Sequence, residues 1–464
     1  MTGAAPLFVL FALVSNQSST ISEEGPESTG RQDTPVSKAR LDEPAPPGSN
    51  AGGEGFGFTA QLEVGGLSLP SGTPGGGQDL FIRAYPVLGL TKGDSFVLRL
   101  GANLRMRMVD EEPKQTEGDY GARLRREDWD ELSDAGQVVR MLRIGREGEA
   151  FYLRVEPLVD ESLGRGYLVG RYSNVLSPDY HPAGGSVTVV KGPVRAEVLA
   201  SDVLAARLFA GELLLDVGRA ASDDANKFDR YLVRLSAAHD AGRAGGKTPN
   251  LTLASLGGDV ALYKGERLRA WALLGGGARF AQSHTPAVGG LLGVAMEGQT
   301  SSGTQISVTL QGRHQGGRFR FGMFGPDYEL GRFSGTGLAE QPISEEELPK
   351  GFAGYLEASI AKGGADSTLL LGSLAAQYYG FGRTDLDVSA GFELPGGRTR
   401  ALARAVLTAL GDRPRYSLGV EVRQRLMNHL YAWGSGGTVH FPQANNQLVR
   451  GVTVGAGVGV DFQR

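Results

Sequence analysis

Residues Leu98 to Met108, LRLGANLRMRM, set Leu98, Leu100, Ala102, Leu104, Met106 and Met108 at even positions. The odd positions hold Arg99, Gly101, Asn103, Arg105 and Arg107. Side chains of an extended strand alternate between two faces, so one face of this run is oily and the other basic. The run matches the roughly 9–11 residues with which a tilted strand crosses a bilayer. A single run of this kind decides little, but the same alternation recurs from Phe56 to the C-terminus.

Phe56, Phe58, Ala60, Leu62 and Val64 alternate with Thr59, Gln61 and Glu63. Ile306, Val308 and Leu310 alternate with Gln305, Ser307, Thr309, Gln311 and Arg313. Leu386, Val388, Ala390, Phe392 and Leu394 alternate with Asp385, Asp387, Ser389 and Glu393. Tyr416, Leu418, Val420 and Val422 alternate with Ser417, Glu421, Arg423 and Arg425. The last run has Val452, Val454, Ala456, Val458, Val460 and Phe462 on one face and Thr453, Gly455, Gly457, Gly459 and Asp461 on the other. A half-buried soluble sheet also alternates. These runs exceed the ~5–6 residues of an average globular strand. They follow one another with no helical period between them, and their polar faces carry rows of full charges. The fold expected is all-β, an antiparallel transmembrane up-and-down β-barrel over residues 54–464.

The connections offer a separate check. Ser68–Gln78, Val109–Gln137 and Val159–Gly184 are long, whereas Thr91–Asp94, Arg146–Glu149 and Lys191–Pro193 are tight. Such a barrel has short periplasmic turns and longer outer loops, as this alternation requires. The regularity fails between about Ala200 and Thr252, where ARLFAGELLLDVGRA reads as one strand or as two split at Gly211–Glu212. About 16 strands are expected, within a range of 14 to 20, since bacterial single-chain barrels are even-stranded.

Composition narrows the function. The 464 residues include 71 glycines and no cysteine, and the net charge is −4. Without cysteine there are no disulfides, thiolate metal sites, cysteine nucleophile or lipoprotein anchor. The charge gives no electrostatic footprint for nucleic acid. The six histidines are scattered, and no metal, nucleophile-elbow or phosphate-loop motif stands in the chain, so neither an enzyme nor a cofactor is expected. No run approaches the ~20 apolar residues of a membrane helix. Pro6–Val14, PLFVLFALV, has the size of a signal-peptide core, which makes residues 1–15 an expected export signal. Residues 16–53, rich in Ser, Glu, Pro and Gly, read as an unstructured leader.

Two further segments carry a resemblance. Gly164, Gly166, Leu168, Val169, Tyr172, Ser173 and Asn174 form a G-x-G-x-L-V-x-x-Y-S-N-like motif. Downstream, Phe324, Tyr328, Glu329 and Arg332 form an F-x-x-x-Y-E-x-x-R-like motif. In this order, over roughly residues 120 to 335, the chain resembles a family of uncharacterised Gram-negative outer-membrane β-barrel proteins of porin-like type. The resemblance implies the compartment and the fold, and it brings no reaction with it. It also implies outer-membrane lipid and the barrel-insertion machinery as partners. Many such barrels end on an aromatic residue, whereas here Phe462 is followed by Gln463 and Arg464.

The candidate lumen-lining residues are Arg99, Arg105, Arg107, Arg313, Asp385, Asp387, Glu393, Glu421, Arg423 and Arg425. Unpaired, they would set a transverse field that orients polar solutes; paired across neighbouring strands, they would hold the lumen closed. Gly164, Gly166, Tyr172, Ser173 and Asn174 suggest a plug in the barrel mouth or an ordinary long loop. The charged loop Asp110–Ala135 reads as a constriction or a solvated surface loop. Tyr431 with Trp433, and Tyr378, Tyr379 and Phe381, are candidates for an interfacial aromatic girdle, and Trp271 falls mid-strand. The expected function is a porin-like or export channel for polar solutes or polymer. The alternative is an occluded structural barrel that anchors an envelope machine, with envelope proteins or further copies of the chain as its partners.

Overall fold

Alternating runs linked by glycine-bearing turns pair with their nearest neighbours in sequence, because short connections leave no other partner in reach. The computed structural model describes residues 55–71, 76–111, 124–175, 182–242, 250–280, 287–332, 342–363, 367–442 and 448–463. The expected signal and leader, 1–15 and 16–53, lie outside the described residues.

The first strands are β1 (Phe56–Pro70), β2 (Gln78–Lys92), β3 (Phe96–Gly101), β4 (Leu104–Val109), β5 (Val139–Ile144), β6 (Phe151–Glu156) and β7 (Gly184–Lys191). There follow β8 (Val194–Ala200), β9 (Leu208–Asp216), β10 (Tyr231–Asp240), β11 (Leu251–Lys264), β12 (Leu268–Phe280), β13 (Ala287–Gln299) and β14 (Gln305–Gly317). The last are β15 (Leu348–Lys362), β16 (Leu369–Tyr379), β17 (Thr384–Glu393), β18 (Thr399–Leu410), β19 (Arg415–Arg425), β20 (Leu430–Pro442) and β21 (Leu448–Gln463). Each pairs antiparallel with its neighbours, and β1 closes the ring on β21 through Thr59↔Gln463 to Ser68↔Val454.

β3 and β4 are halves of one stave, since both pair with β2 in continuous register, Val87↔Gly101 and Ala84↔Leu104. The break falls at Ala102, whose N–H donates to the Pro86 carbonyl (3.2 Å). Pro86 has no N–H to return. The described residues therefore form a closed antiparallel barrel of 20 staves, which corrects the expected 16. β9 runs unbroken through Gly211–Glu212. The later connections 380–383 and 411–414 are as short as the turns on the opposite rim, so loop length stops marking the staves there.

Burial is the inverse of a soluble protein's. Leu62, Leu88, Leu213, Leu274, Val288, Leu292 and Val454 are exposed on the outer wall, while Glu63, Arg105, Asp259, Arg313 and Asp387 are buried within. Apolar residues outside and ionic ones inside suit a lipid exterior and a polar lumen. The girdle reading needs correction. Tyr431, Trp433 and Tyr379 occupy lumen-facing positions and are buried, as is the mid-strand Trp271; of the girdle candidates only Tyr378 and Phe381 are exposed.

Candidate functional site: a two-part lumen insertion

Two of the long outer connections, after β6 and after β14, turn into the barrel. The first folds as a small hairpin. Glu161 and Tyr172 exchange main-chain hydrogen bonds (2.9 and 2.7 Å), and the Leu163 N–H donates to Val169 (3.0 Å). Its tip needs left-handed backbone at Gly164 (φ 56°) and Gly166 (φ 71°), which is why glycine stands there. Asn174 closes the base: its Oδ1 accepts from the Leu158 N–H (2.8 Å) and its Nδ2 donates to the Ser201 carbonyl (2.6 Å). Ser173 is buried beside it.

The second insertion supplies Phe319, Phe321, Met323, Phe324, the short helix α1 (Tyr328–Gly331) and Ile343. The two meet as a short parallel ladder, in which Phe324 donates to Leu168 (3.0 Å), Gly170 to Phe324 (3.1 Å) and Gly322 to Tyr167 (2.9 Å). The Tyr172 hydroxyl donates to Glu329 (2.5 Å), so the two motifs that carried the family resemblance bind each other. Leu158, Leu163, Tyr167, Leu168, Val169 and Tyr172 join the second insertion's aromatics in one apolar cluster with wall residues Leu253, Trp271, Leu273 and Leu291. Glycines in the wall make room for it. A Cβ on Gly275 would lie 3.1 Å from the Tyr167 ring, and one on Gly289 2.8 Å from Phe319.

Ion pairs fix the insertions to the wall from β10 to the Arg415 end of β19. Arg165 reaches Asp259 (3.0 Å) and Glu297 (3.2 Å). Arg171 meets Asp387 (2.8 Å), which also takes Arg404 (2.8 Å). Arg332 joins Asp240 (3.0 Å) to Glu329 (2.9 Å), and Arg415 holds Asp327 (2.9 Å). Arg279 donates to the carbonyls of Arg318 and Ser344. Burial alone would raise the Asp327 carboxyl, but the guanidiniums of Arg415 and Arg320 outweigh it and hold it well below the usual carboxylate range. Tyr328 shifts the other way, because burial and the adjacent Asp240 keep its phenol protonated as a donor to that carboxylate.

The expected lumen residues divide between two environments. Arg313, Asp385 and Asp387 occupy inward positions on the half of the wall that the insertions cover. Arg313 meets neutral groups there, Gln311 (2.8 Å), Gln377 (2.6 Å) and the Tyr355 ring (3.7 Å). Asp385 is bound by Arg383 (2.9 Å). Arg99, Arg105, Arg107, Glu421, Arg423 and Arg425 lie on the other half. Arg105 meets Asp128 (3.0 Å), and Arg107 meets Asp79 (3.4 Å) and Asp110 (3.2 Å). Arg423 sits between Glu421 (2.9 Å) and Glu63 (3.2 Å), and Arg425 pairs with Asp461 (2.7 Å). Arg99 faces Gly89 and Met141 across the sheet, and Glu393 faces Arg400. Arg83 lies over the rings of Tyr85 (4.8 Å) and Trp433 (5.1 Å) and reaches Glu63 (3.5 Å).

Two basic-and-acidic walls therefore do not face each other: Asp385 and Asp387 are neutralised by Arg383, Arg171 and Arg404. Of the charged loop 110–135, residues 112–123 lie outside the described residues, and Asp128 and Asp134 are fully buried. Sequence reasoning missed the second insertion as part of the plug. It also missed its acidic clasps Asp240, Asp259 and Asp327, which look in sequence like any polar position of an alternating strand or loop.

No protein-family model matches the chain, and no curated protein does. Among solved structures it is similar to OccK2 (OpdF) of Pseudomonas aeruginosa in complex with glucuronate, at 12% identity and a TM-score of 0.33, covering 88% of this chain and 97% of that one. It is also similar to OpdK of Pseudomonas aeruginosa, at 9% identity and a TM-score of 0.34, covering 88% of this chain and 99% of that one. A BenF-like porin from Pseudomonas fluorescens gives 9% identity and a TM-score of 0.33, covering 88% and 98%.

Proposed function

We propose that the chain is a porin-like channel of a Gram-negative outer membrane, and that small acidic polar solutes cross it along the arginine-bearing half of the lumen. One observation carries this reading: the insertions are bound to one side. Arg171 and Arg332, which the insertions carry onto wall carboxylates, have side chains 5% and 1% exposed. Arg83, Arg423 and Arg425, across the lumen, keep 21%, 24% and 31%. Water thus reaches the second group and is excluded from the first. On that wetted wall Arg83 lies over Tyr85 and Trp433, Arg107 over Phe81 and Arg423 over Tyr431. Guanidiniums beside aromatic faces suit a carboxylate on a ring or a short chain, held weakly enough to pass from one site to the next.

The apolar cluster inside the lumen favours a second reading, a closed barrel that serves as an anchor. Planar-bilayer recording of the purified full chain separates the two. The expected result is small, steady conductance steps with a reversal potential that favours anions over cations. Silence at every voltage, with the barrel shown to be inserted, would overturn the channel and leave the anchor.

A further inference from the structure

Most arginines of the inner wall meet carboxylates; one on the outer wall does not. β19, β20 and β21 carry Tyr416, His440 and Arg450 to one level near the long-loop rim. His440 stands directly opposite Arg450, and the register Gly419↔Gly437 brings Tyr416 alongside His440. All three point outward. Their sequence neighbours Arg415 and Phe441 are buried on the lumen side, whereas Val452 and Val454, on Arg450's face of β21, are exposed. Arg450 reaches across β20 and lays its guanidinium on the Tyr416 ring, 3.9 Å from the centroid. It covers His440, which is 5% exposed and whose buried Nδ1 has no hydrogen-bond partner among the described residues. Arg450 itself stays exposed and makes no ion pair among the described residues.

We propose that Arg450, Tyr416 and His440 form a binding site for the phosphate-bearing headgroup of an outer-leaflet lipid. An uncompensated cation on a lipid-facing wall is tolerated only near the interface, which is where these residues lie. The headgroup phosphates of the leaflet begin at that level. A guanidinium presents a planar fork that takes phosphate bidentately, and the Tyr416 ring holds this one in place before a ligand arrives. A phosphate oxygen that draws Arg450 off the imidazole also gives Nδ1–H or a bridging water a partner. The site rests on the outer-membrane placement of the barrel and not on its conducting solutes.

Native mass spectrometry of the full-length barrel in detergent tests it, with lipid A and dephosphorylated lipid A as probes. Wild type and Lys350→Gln, a change at an exposed lysine elsewhere on the same rim, are expected to retain lipid A. Arg450→Gln should bind it several-fold more weakly, and Arg450→Lys should fall between. All forms should bind the dephosphorylated lipid poorly and alike. Equal retention of lipid A by Arg450→Gln, in a barrel whose sheet content and heat-modifiable mobility match wild type, would overturn the site. So would equal binding of the two lipids by wild type. A barrel that fails to enter lipid vesicles at all would instead overturn the membrane placement on which the site rests.

Discussion

The two halves of the lumen wall use the same residue types for different ends. From β10 to the Arg415 end of β19, arginine and carboxylate side chains of the wall and the insertions meet in pairs cut off from water, as at Arg171–Asp387 and Arg332–Asp240. From the Glu421–Arg425 end of β19 round to β6, arginines such as Arg83 and Arg423 are only partly neutralised and keep contact with solvent. Glycines differ in the same way. Those at 257, 275, 277 and 289 seat Tyr167 and Phe319 of the insertions, while Gly455 and Gly457 make room for Trp433 of the wall itself. One half of the wall is built to hold the two insertions, and the other, apart from Arg105 beneath Asp128, keeps its arginines in reach of water. Charge rows in a barrel sequence therefore do not report what they do until it is known what lies over them.

Removing the insertion's first part should erase the contrast, and this is the largest effect expected. Replacing residues 163–171 by a Gly-Gly link takes away Arg165, Tyr167 and Arg171 together, and with them the ladder to Phe324. The covered half would become a second wetted wall. Conductance in planar bilayers is expected to rise several-fold while the barrel still folds, because the staves pair with one another and not through the plug. Unchanged conductance would mean that the path does not pass the insertions.

Single changes on the two sides should then separate stability from selectivity. Arg171→Ala breaks a buried pair, and the loss of one partner from such a pair costs about 3–5 kcal/mol because a charge is left without compensation. Arg404 remains beside Asp387, so the lower end of that range is expected. The plug should loosen, with noisier and larger conductance steps and faster proteolysis within residues 157–174. Arg423→Gln on the open side removes a partly exposed guanidinium and leaves Glu63 with Arg83 and the Tyr431 hydroxyl as partners. It should lower thermal stability less than Arg171→Ala does and move the reversal potential toward cations. If both variants shifted selectivity and neither shifted stability, the two halves would not differ as argued.

The fold was legible because alternation at period 2 is a direct consequence of strand geometry, and Leu98–Met108 shows it without any knowledge of the partners. Its inward arginines were legible for the same reason. The stave count was not. Connections such as 380–383 and 411–414 are as short as periplasmic turns, so nothing local shows that a rim has been reached. The plug was half legible. The glycines at 164 and 166 and the Tyr-Ser-Asn run advertise a built turn, but Phe319 and Phe324 look in sequence like any outward-facing aromatic. Tyr431 and Trp433 misled in the opposite direction. Two aromatics on one face suggest a lipid interface, yet here they point inward, where Tyr431 donates to Glu63 (2.9 Å).

The smallest effect expected is that of acid on the covered half. Asp327 in the second insertion has its carboxyl held below the ordinary value of 3.8 by Arg415 and Arg320, whose attraction outweighs the desolvation that would raise it. A depressed pKa in the docked state means that docking favours the ionised form. The stabilisation is fully present above the undocked pKa and is lost only as pH falls through the docked one. Lowering the pH from 7 to about 5 should therefore leave plug docking untouched through this group. Loosening should begin only below the ordinary carboxylate range. Asp327→Asn mimics the protonated side chain and should loosen the plug at pH 7, leaving Arg415 buried without its partner. Conductance noise followed from pH 7 to pH 3, in wild type and in Asp327→Asn, checks this. A wild-type transition near pH 6 would show that some other group, and not this clasp, governs the acid response of the plug.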